Sequence, residues 1–215
     1  MTISPKLLKG GIALLDPTTG TILPNGIISL QYNPDTISRT LQVQGTGGEG
    51  GDRSEALRLK GPPVETIKLE AEIDATDQLE TGDGTAVELG LHPQLARLEL
   101  LVYPTSRQLQ SNNSMARSGQ LEILPMEAPL TLFVWSKQRT TPVRITELSI
   151  TEDAFDTSLN PIRAKISLGL RVLSVDDLGF SHKGGTAFMS YLQNKEQLAG
   201  RIAGGNPDTI GFSGV

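Results

Sequence analysis

Few side chains in this chain stand at spacings that support bond-making chemistry. The two histidines are His92, just before Pro93, and His182, inside Ser181-His182-Lys183-Gly184-Gly185. A general base needs a partner within hydrogen-bond reach, and neither histidine has a second histidine near it in a chain without cysteine. Both read as surface or helix-capping groups. Asp74, Asp77, Glu80 and Asp83 recur every three residues, which misses both the ligand positions and the sixth-position glycine of an EF-hand. A solvated acidic link is the reading they support. Glu70 and Glu72 alternate with apolar residues, so a solvated strand face accounts for them as well as acid-base work would. The glycines at 45, 47, 48, 50 and 51 lack the Lys-Ser/Thr ending of a phosphate-binding loop, and no Gly-x-Ser-x-Gly is present. No catalytic set, cofactor motif or metal-ligand pattern results, and the expectation is a protein that is not an enzyme.

Composition narrows the classes further. The 215 residues carry a formal charge of -5 with 20% charged residues, so neither nucleic acid nor an anionic membrane is an expected partner. The absence of cysteine excludes a disulfide scaffold and thiolate metal sites. Gly10, Gly11 and Asp16 break the apolar patch near the start well short of a membrane-spanning length. A cytoplasmic protein is the default.

The strongest periodicity lies in residues 143–173. Ile162, Ala164, Ile166, Leu168, Leu170 and Val172 alternate with Arg163, Lys165, Ser167, Gly169 and Arg171, the period of a strand with one buried face. Residues 143–151 are rich in β-branched side chains, but their apolar phase slips between Ile145 and Leu148, and a β-bulge would absorb the slip. Residues 152–161 supply the Asp, Ser, Asn and Pro of a reversal. A long antiparallel hairpin is expected here.

Other strands are expected at 10–15 and 21–23 around the turn 16–20, at 27–32, at 39–43, at 64–74, at 121–124 and at 130–135. Leu130, Leu132 and Val134 oppose Phe133 and Trp135, so that last strand is expected to be buried on both sides, with a helix over its outer face. The helix is placed by Leu91, Leu95, Leu98 and Val102, at spacings of four, three and four, with Pro93 in the first turn. Residues 77–85 read as a polar link and 105–120 as loop. Residues 44–63 read as a mobile glycine-rich insertion. After Ser181 the pattern changes, and Thr186 is the expected cap of a C-terminal helix over 186–203, loosely packed because Lys195 interrupts its stripe. The division is therefore a β domain over 1–180 and a C-terminal helix and tail over 181–215. Seven or eight strands with one internal helix fit one closed sheet or two packed sheets. Tyr32, Phe133, Trp135 and Phe155 are expected in the core.

Three short segments resemble one family. Tyr32-Asn33-Pro34 followed by Ile37 and Arg39, then Pro129 with Phe133 and Trp135, then Phe155 with Asn160-Pro161 and Arg163-Ala164, are similar in type and order to motifs of tube proteins of contractile injection systems. These systems are phage-tail-like particles. Ser136 stands where the family usually has glycine after the tryptophan. The resemblance implies a mainly β fold, an antiparallel β-barrel of the phage tail tube type with one packed α-helix. It implies six copies in a ring, and it is closest to the adaptor joining a trimeric spike hub to the inner tube, with baseplate and sheath proteins as further partners. The LysM module usual in that group is not expected in the few residues after 203, nor is direct cell-wall binding.

A ring needs heterologous contacts, which a strand margin of the 143–173 hairpin is expected to supply through backbone hydrogen bonds. Arg163, Lys165 and Arg171 are then expected at the channel or a neighbouring subunit, and Arg53, Glu55 and Arg58 of the insertion at a subunit interface. A competing class is a monomeric β-sandwich that binds a ligand or carbohydrate.

Overall fold

The computed structural model describes residues 8–45, 58–118, 128–202, 204–205 and 207–210. Seven strands follow in chain order: β1 (Gly11–Leu15), β2 (Ile22–Ser29), β3 (Ile37–Gln42), β4 (Val64–Asp74), β5 (Leu130–Ser136), β6 (Arg139–Phe155) and β7 (Pro161–Val172). They form one antiparallel sheet in the order β2-β1-β5-β6-β7-β4-β3. The helices are α1 (Thr76–Glu80), α2 (Gly84–Leu89), α3 (His92–Glu99), α4 (Ser106–Arg117), α5 (Val175–Leu178) and α6 (Lys183–Ala199).

Alternation builds the centre of this sheet. Ile67, Leu69 and Ala71 of β4 stand opposite Leu170, Leu168 and Ile166 of β7, and all six are buried. They join Val143, Phe133 and Ile12 in one core with Leu91, Leu95 and Leu98 of α3 and Phe188 and Tyr191 of α6. A buried aliphatic side chain contributes about 1.5 to 3 kcal/mol, so this row dominates the stability of the fold. The phase slip in β6 is a bulge: the register shifts between Ile145 and Glu147.

The sheet does not close into the expected barrel. Its terminal strands, β2 and β3, do not pair, and along β2 a side chain from elsewhere takes backbone groups that a closing ladder would use. Arg97 of α3 donates from Nη2 to the carbonyl of Ile27 at 2.6 Å and to that of Asn25. Gln31 caps the end of β4 through the backbone of Asp74. A hollow of about 310 Å³ beside α3, lined by Leu30, Ala71, Ile73 and Leu98 among others, lies along this seam.

Several boundaries move. The expected strands at 21–23 and 27–32 are one strand, β2, with a register shift opposite Leu14 and a positive φ of 56° at Asn25. The reversal expected over 152–161 is shorter, since β6 and β7 stay paired out to Phe155 and Pro161. The polar link at 77–85 holds parts of α1 and α2, where Asp83 accepts from the Ala86 N–H as an N-cap. The loop expected at 105–120 contains α4, closed at its start by the Thr105–Gln108 capping box. The C-terminal helix starts at Lys183, earlier than expected, because His182 Nδ1 accepts from the Gly184 N–H and caps it. The strand expected at 121–124 lies outside the described residues. Tyr32 and Phe155 are not core side chains; they are 49% and 50% exposed. Phe133 is buried, and Trp135 stacks on it at 6.1 Å between ring centres. Leu132 and Val134 of β5 are only half-buried, so the outer face of this strand is not fully covered.

Candidate functional site

Because the apolar residues of β4, β6 and β7 all point to one side, the other side of the three strands is a polar sheet face. Register sets its rows: Asp74, Arg163 and Asp153; then Glu72, Lys165 and Thr151; then Glu70, Ser167 and Ser149; and at the far end Thr66, Arg171 and Arg144. Opposite charges facing across the rows of Asp74 and Glu72 favour this register, and the like pair Arg171 and Arg144 opposes it. Arg163 Nε lies 3.0 Å from Asp74 Oδ2 and 3.7 Å from Glu72 Oε1. The Asp74 carboxyl is held below its ordinary range by the Thr76 hydroxyl and N–H, with Arg163 adding to the effect. Arg171 Nη2 lies 2.7 Å from Asp177 of α5. Lys165 is exposed at an open hollow of about 540 Å³ with Tyr32, Asp35, Glu70 and Ser149.

Of the six residues expected at interfaces, the four that are described do not converge. Arg163 and Lys165 lie toward the tip of the β6–β7 ribbon, and Arg171 lies near its root beside Gln44 and Pro63, where the insertion begins and ends. Arg58 is exposed at the base of the insertion, next to the Leu59–Gly45 bridge. Arg53 and Glu55 lie outside the described residues.

The margins of the ribbon differ. β7 is paired along its length, to β6 on one side and to β4 from Arg163 to Arg171 on the other. β6 pairs with β5 only as far as Val143. Among the described residues, no strand lies along the other margin of β6 over residues 144–155. A row of backbone N–H and C=O groups about twelve residues long thus faces away from the sheet, the arrangement that recruits another strand.

The tip is held by Asp156, whose carboxylate accepts from the N–H groups of Ser158 and Asn160 at 2.7 and 2.8 Å and from the Asn160 side chain at 2.8 Å. These bonds hold its carboxyl below the ordinary range, the Asn160 side chain contributing most. Asn160 also donates to the carbonyl of Glu88, tying the tip to α2. Ala154 and Leu159 take positive φ values of 55° and 65°, and Leu159 is 77% exposed.

A second polar constellation was not anticipated. Glu65, buried on the apolar face of β4, receives Arg39 Nε at 2.8 Å, the Tyr191 hydroxyl at 3.0 Å and Lys195 Nζ at 3.1 Å. Burial pushes the Glu65 carboxyl up, but the hydrogen bond and charge of Lys195, with those of Arg39, outweigh it and leave the group below its ordinary range. Burial raises the Tyr191 phenol. Lys195, expected to loosen α6, instead anchors it. Glu65 falls in phase with Ile67 and Leu69, and Lys195 falls in the stripe of α6: two breaks of opposite sign in two apolar rows were the available signal. Among the described residues, no group of three or more His, Cys, Asp or Glu is placed to hold a metal ion, and no helix is long and apolar enough to cross a membrane.

No protein-family model matches the chain, and no characterised protein matches its sequence.

Proposed function

We propose that this chain is a structural subunit of a contractile injection system, forming a hexameric inner-tube or tube-initiator ring that joins the spike hub to the tube. The observation that carries this is the open margin of β6 over residues 144–155. That margin can add to a different sheet edge of the next copy, and β3, whose second margin is also open among the described residues, supplies one. Contacts between two different patches are heterologous, and a ring closes when the rotation between copies is about one-sixth of a turn. The polar face of β4, β6 and β7 would line the channel, with Arg163 and Lys165 on it and small side chains at Ser149 and Ser167 leaving passage. Spike hub, inner tube, baseplate and sheath proteins are the partners this implies, in a particle assembled in the cytoplasm.

Native mass measurement and negative-stain imaging of the purified protein, alone and with its spike hub, test the ring. Rings of about six copies support it, and a persistent monomer with hub present refutes it. Proline placed separately at Leu148 and at Ser149 tests the margin, since adjacent N–H groups point to opposite sides of a strand. The variant with the smaller fall in melting temperature should be the one that loses the ring.

A monomeric ligand- or carbohydrate-binding module has one observation in its favour, the open hollow beside half-exposed Tyr32. Saturable glycan binding by a stable monomer would select it.

A further inference from the structure

The tip of the β6–β7 ribbon carries two large apolar side chains in the open, Phe155 at 50% and Leu159 at 77% exposure. Leu159 sits at a positive φ that leucine rarely adopts, and the Asp156 hydrogen bonds hold it there. Glu152 and Asp153, on β6 just before the tip, and Glu88 of α2, whose carbonyl accepts from Asn160, are exposed carboxylates. Arg163, the cation opposite Asp153, is engaged by Asp74 and Glu72.

The other end of the ribbon offers the complement. Where Val143 pairs with Val172, a groove of about 350 Å³ opens between the segment after α3, the start of β5 and α5, and its walls include Leu101, Val102, Pro129, Leu130 and Leu173. Val102 is 48% exposed, and Arg144 stands exposed at the rim. The ribbon therefore carries exposed apolar side chains with acidic residues close in the chain at one end, and an apolar groove with one arginine, Arg144, at its edge at the other. Exposed apolar side chains and an apolar groove are the kinds of surface that interaction sites use. A knob and a groove on different patches of one chain make a heterologous contact, which repeats along a line unless the rotation closes it.

We propose that the ribbon tip of one copy inserts Leu159 and Phe155 into the groove beside Val102 of a second copy, so that the occupant of the groove is this same protein, stacked end to end. This deepens the tube reading by naming the contact between successive rings, and it rests on that reading for the stacking direction.

The chain has no cysteine, which allows a direct test with full-length protein. Leu159→Cys and Val102→Cys are made as separate single variants, mixed, and mildly oxidised, with Thr85→Cys on α2 as a control partner for Leu159→Cys. A disulfide joining the two variants, several-fold above the control pair, is the expected result. Cross-linking no higher than the control overturns the proposal. Leu159→Asn keeps a residue that tolerates positive φ, so its melting temperature should equal or exceed that of the parent while end-to-end association falls at least tenfold. Unchanged association would equally overturn the contact. Rings that form without this cross-link sink the axial contact and leave the ring standing; a cross-link in protein that forms no ring does the reverse.

Discussion

The side-chain amide of Gln31 and the backbone of Asp74 form a reciprocal pair: Gln31 Nε2 donates to the Asp74 carbonyl at 2.7 Å, and Gln31 Oε1 accepts from the Asp74 N–H at 3.0 Å. These are the two bonds a neighbouring strand would make. One side chain thus stands in for a ladder rung at the seam where β2 and β3 fail to meet, and Arg97 does the same for the carbonyls of β2.

Gln31→Leu should therefore weaken the fold without changing its topology. Losing both bonds and leaving part-buried backbone groups unpaired costs about 1 to 3 kcal/mol. For a chain of this size that corresponds to roughly 2 to 4 °C per kcal/mol, read by calorimetry. A melting temperature within a degree of the parent would show that water replaces the amide.

The buried Glu65 cluster under α6 makes stability depend on acid. The folded Glu65 carboxyl lies below its ordinary value of 4.5, so its contribution is fully present above that value and is lost as pH falls through the folded pKa. Denaturant melts of parent and Glu65→Gln should differ by about 1 to 2 kcal/mol at neutral pH, and the gap should narrow below pH 4.5. A gap that widens in acid would reverse the assignment.

Leu168 is 2% exposed, in the apolar row between Leu69 and Leu148. Leu168→Asp places an unpaired carboxylate in that row, and the loss should exceed about 4 kcal/mol. No soluble folded protein is expected, and normal yield with an unchanged melting temperature would contradict the placement of β7.

Gly185, in the first turn of α6, packs against the carbonyl of Gly179, where an added Cβ would overlap that oxygen. Gly185→Ala should push α6 away from α5 and lower the melting temperature by several degrees, although alanine is the better helix former by about 1 kcal/mol. A rise in melting temperature would mean that the helix start can shift freely.

How much of this was readable beforehand follows the range of the interactions. The alternation of Ile67 to Ile73 and of Ala164 to Val172, and the bulge near Thr146, are local and emerge as expected. Helix α4 was missed because Ser111, Asn112, Asn113 and Ser114 carry weak helix preference, while the Thr105–Gln108 box that starts it is a two-residue signal. The open seam depends on Arg97 reaching residues about seventy positions earlier in the chain, which no local pattern encodes. Likewise, residue type alone does not separate buried Phe133 from exposed Phe155. Of the expected interface set, Arg163, Lys165 and Arg171 do share the polar face; a free margin of the ribbon was expected, but which margin is open depends on where β5 stops pairing.

The unbroken course of β6 from Arg139 to Phe155 has a mechanical corollary. A pull applied at the ribbon tip travels down one covalent backbone into both halves of the sheet. The bonds to β7 lie across that line of force, so they are strained together in shear instead of peeling one after another, and the tip can bear a load that its exposed position would not suggest.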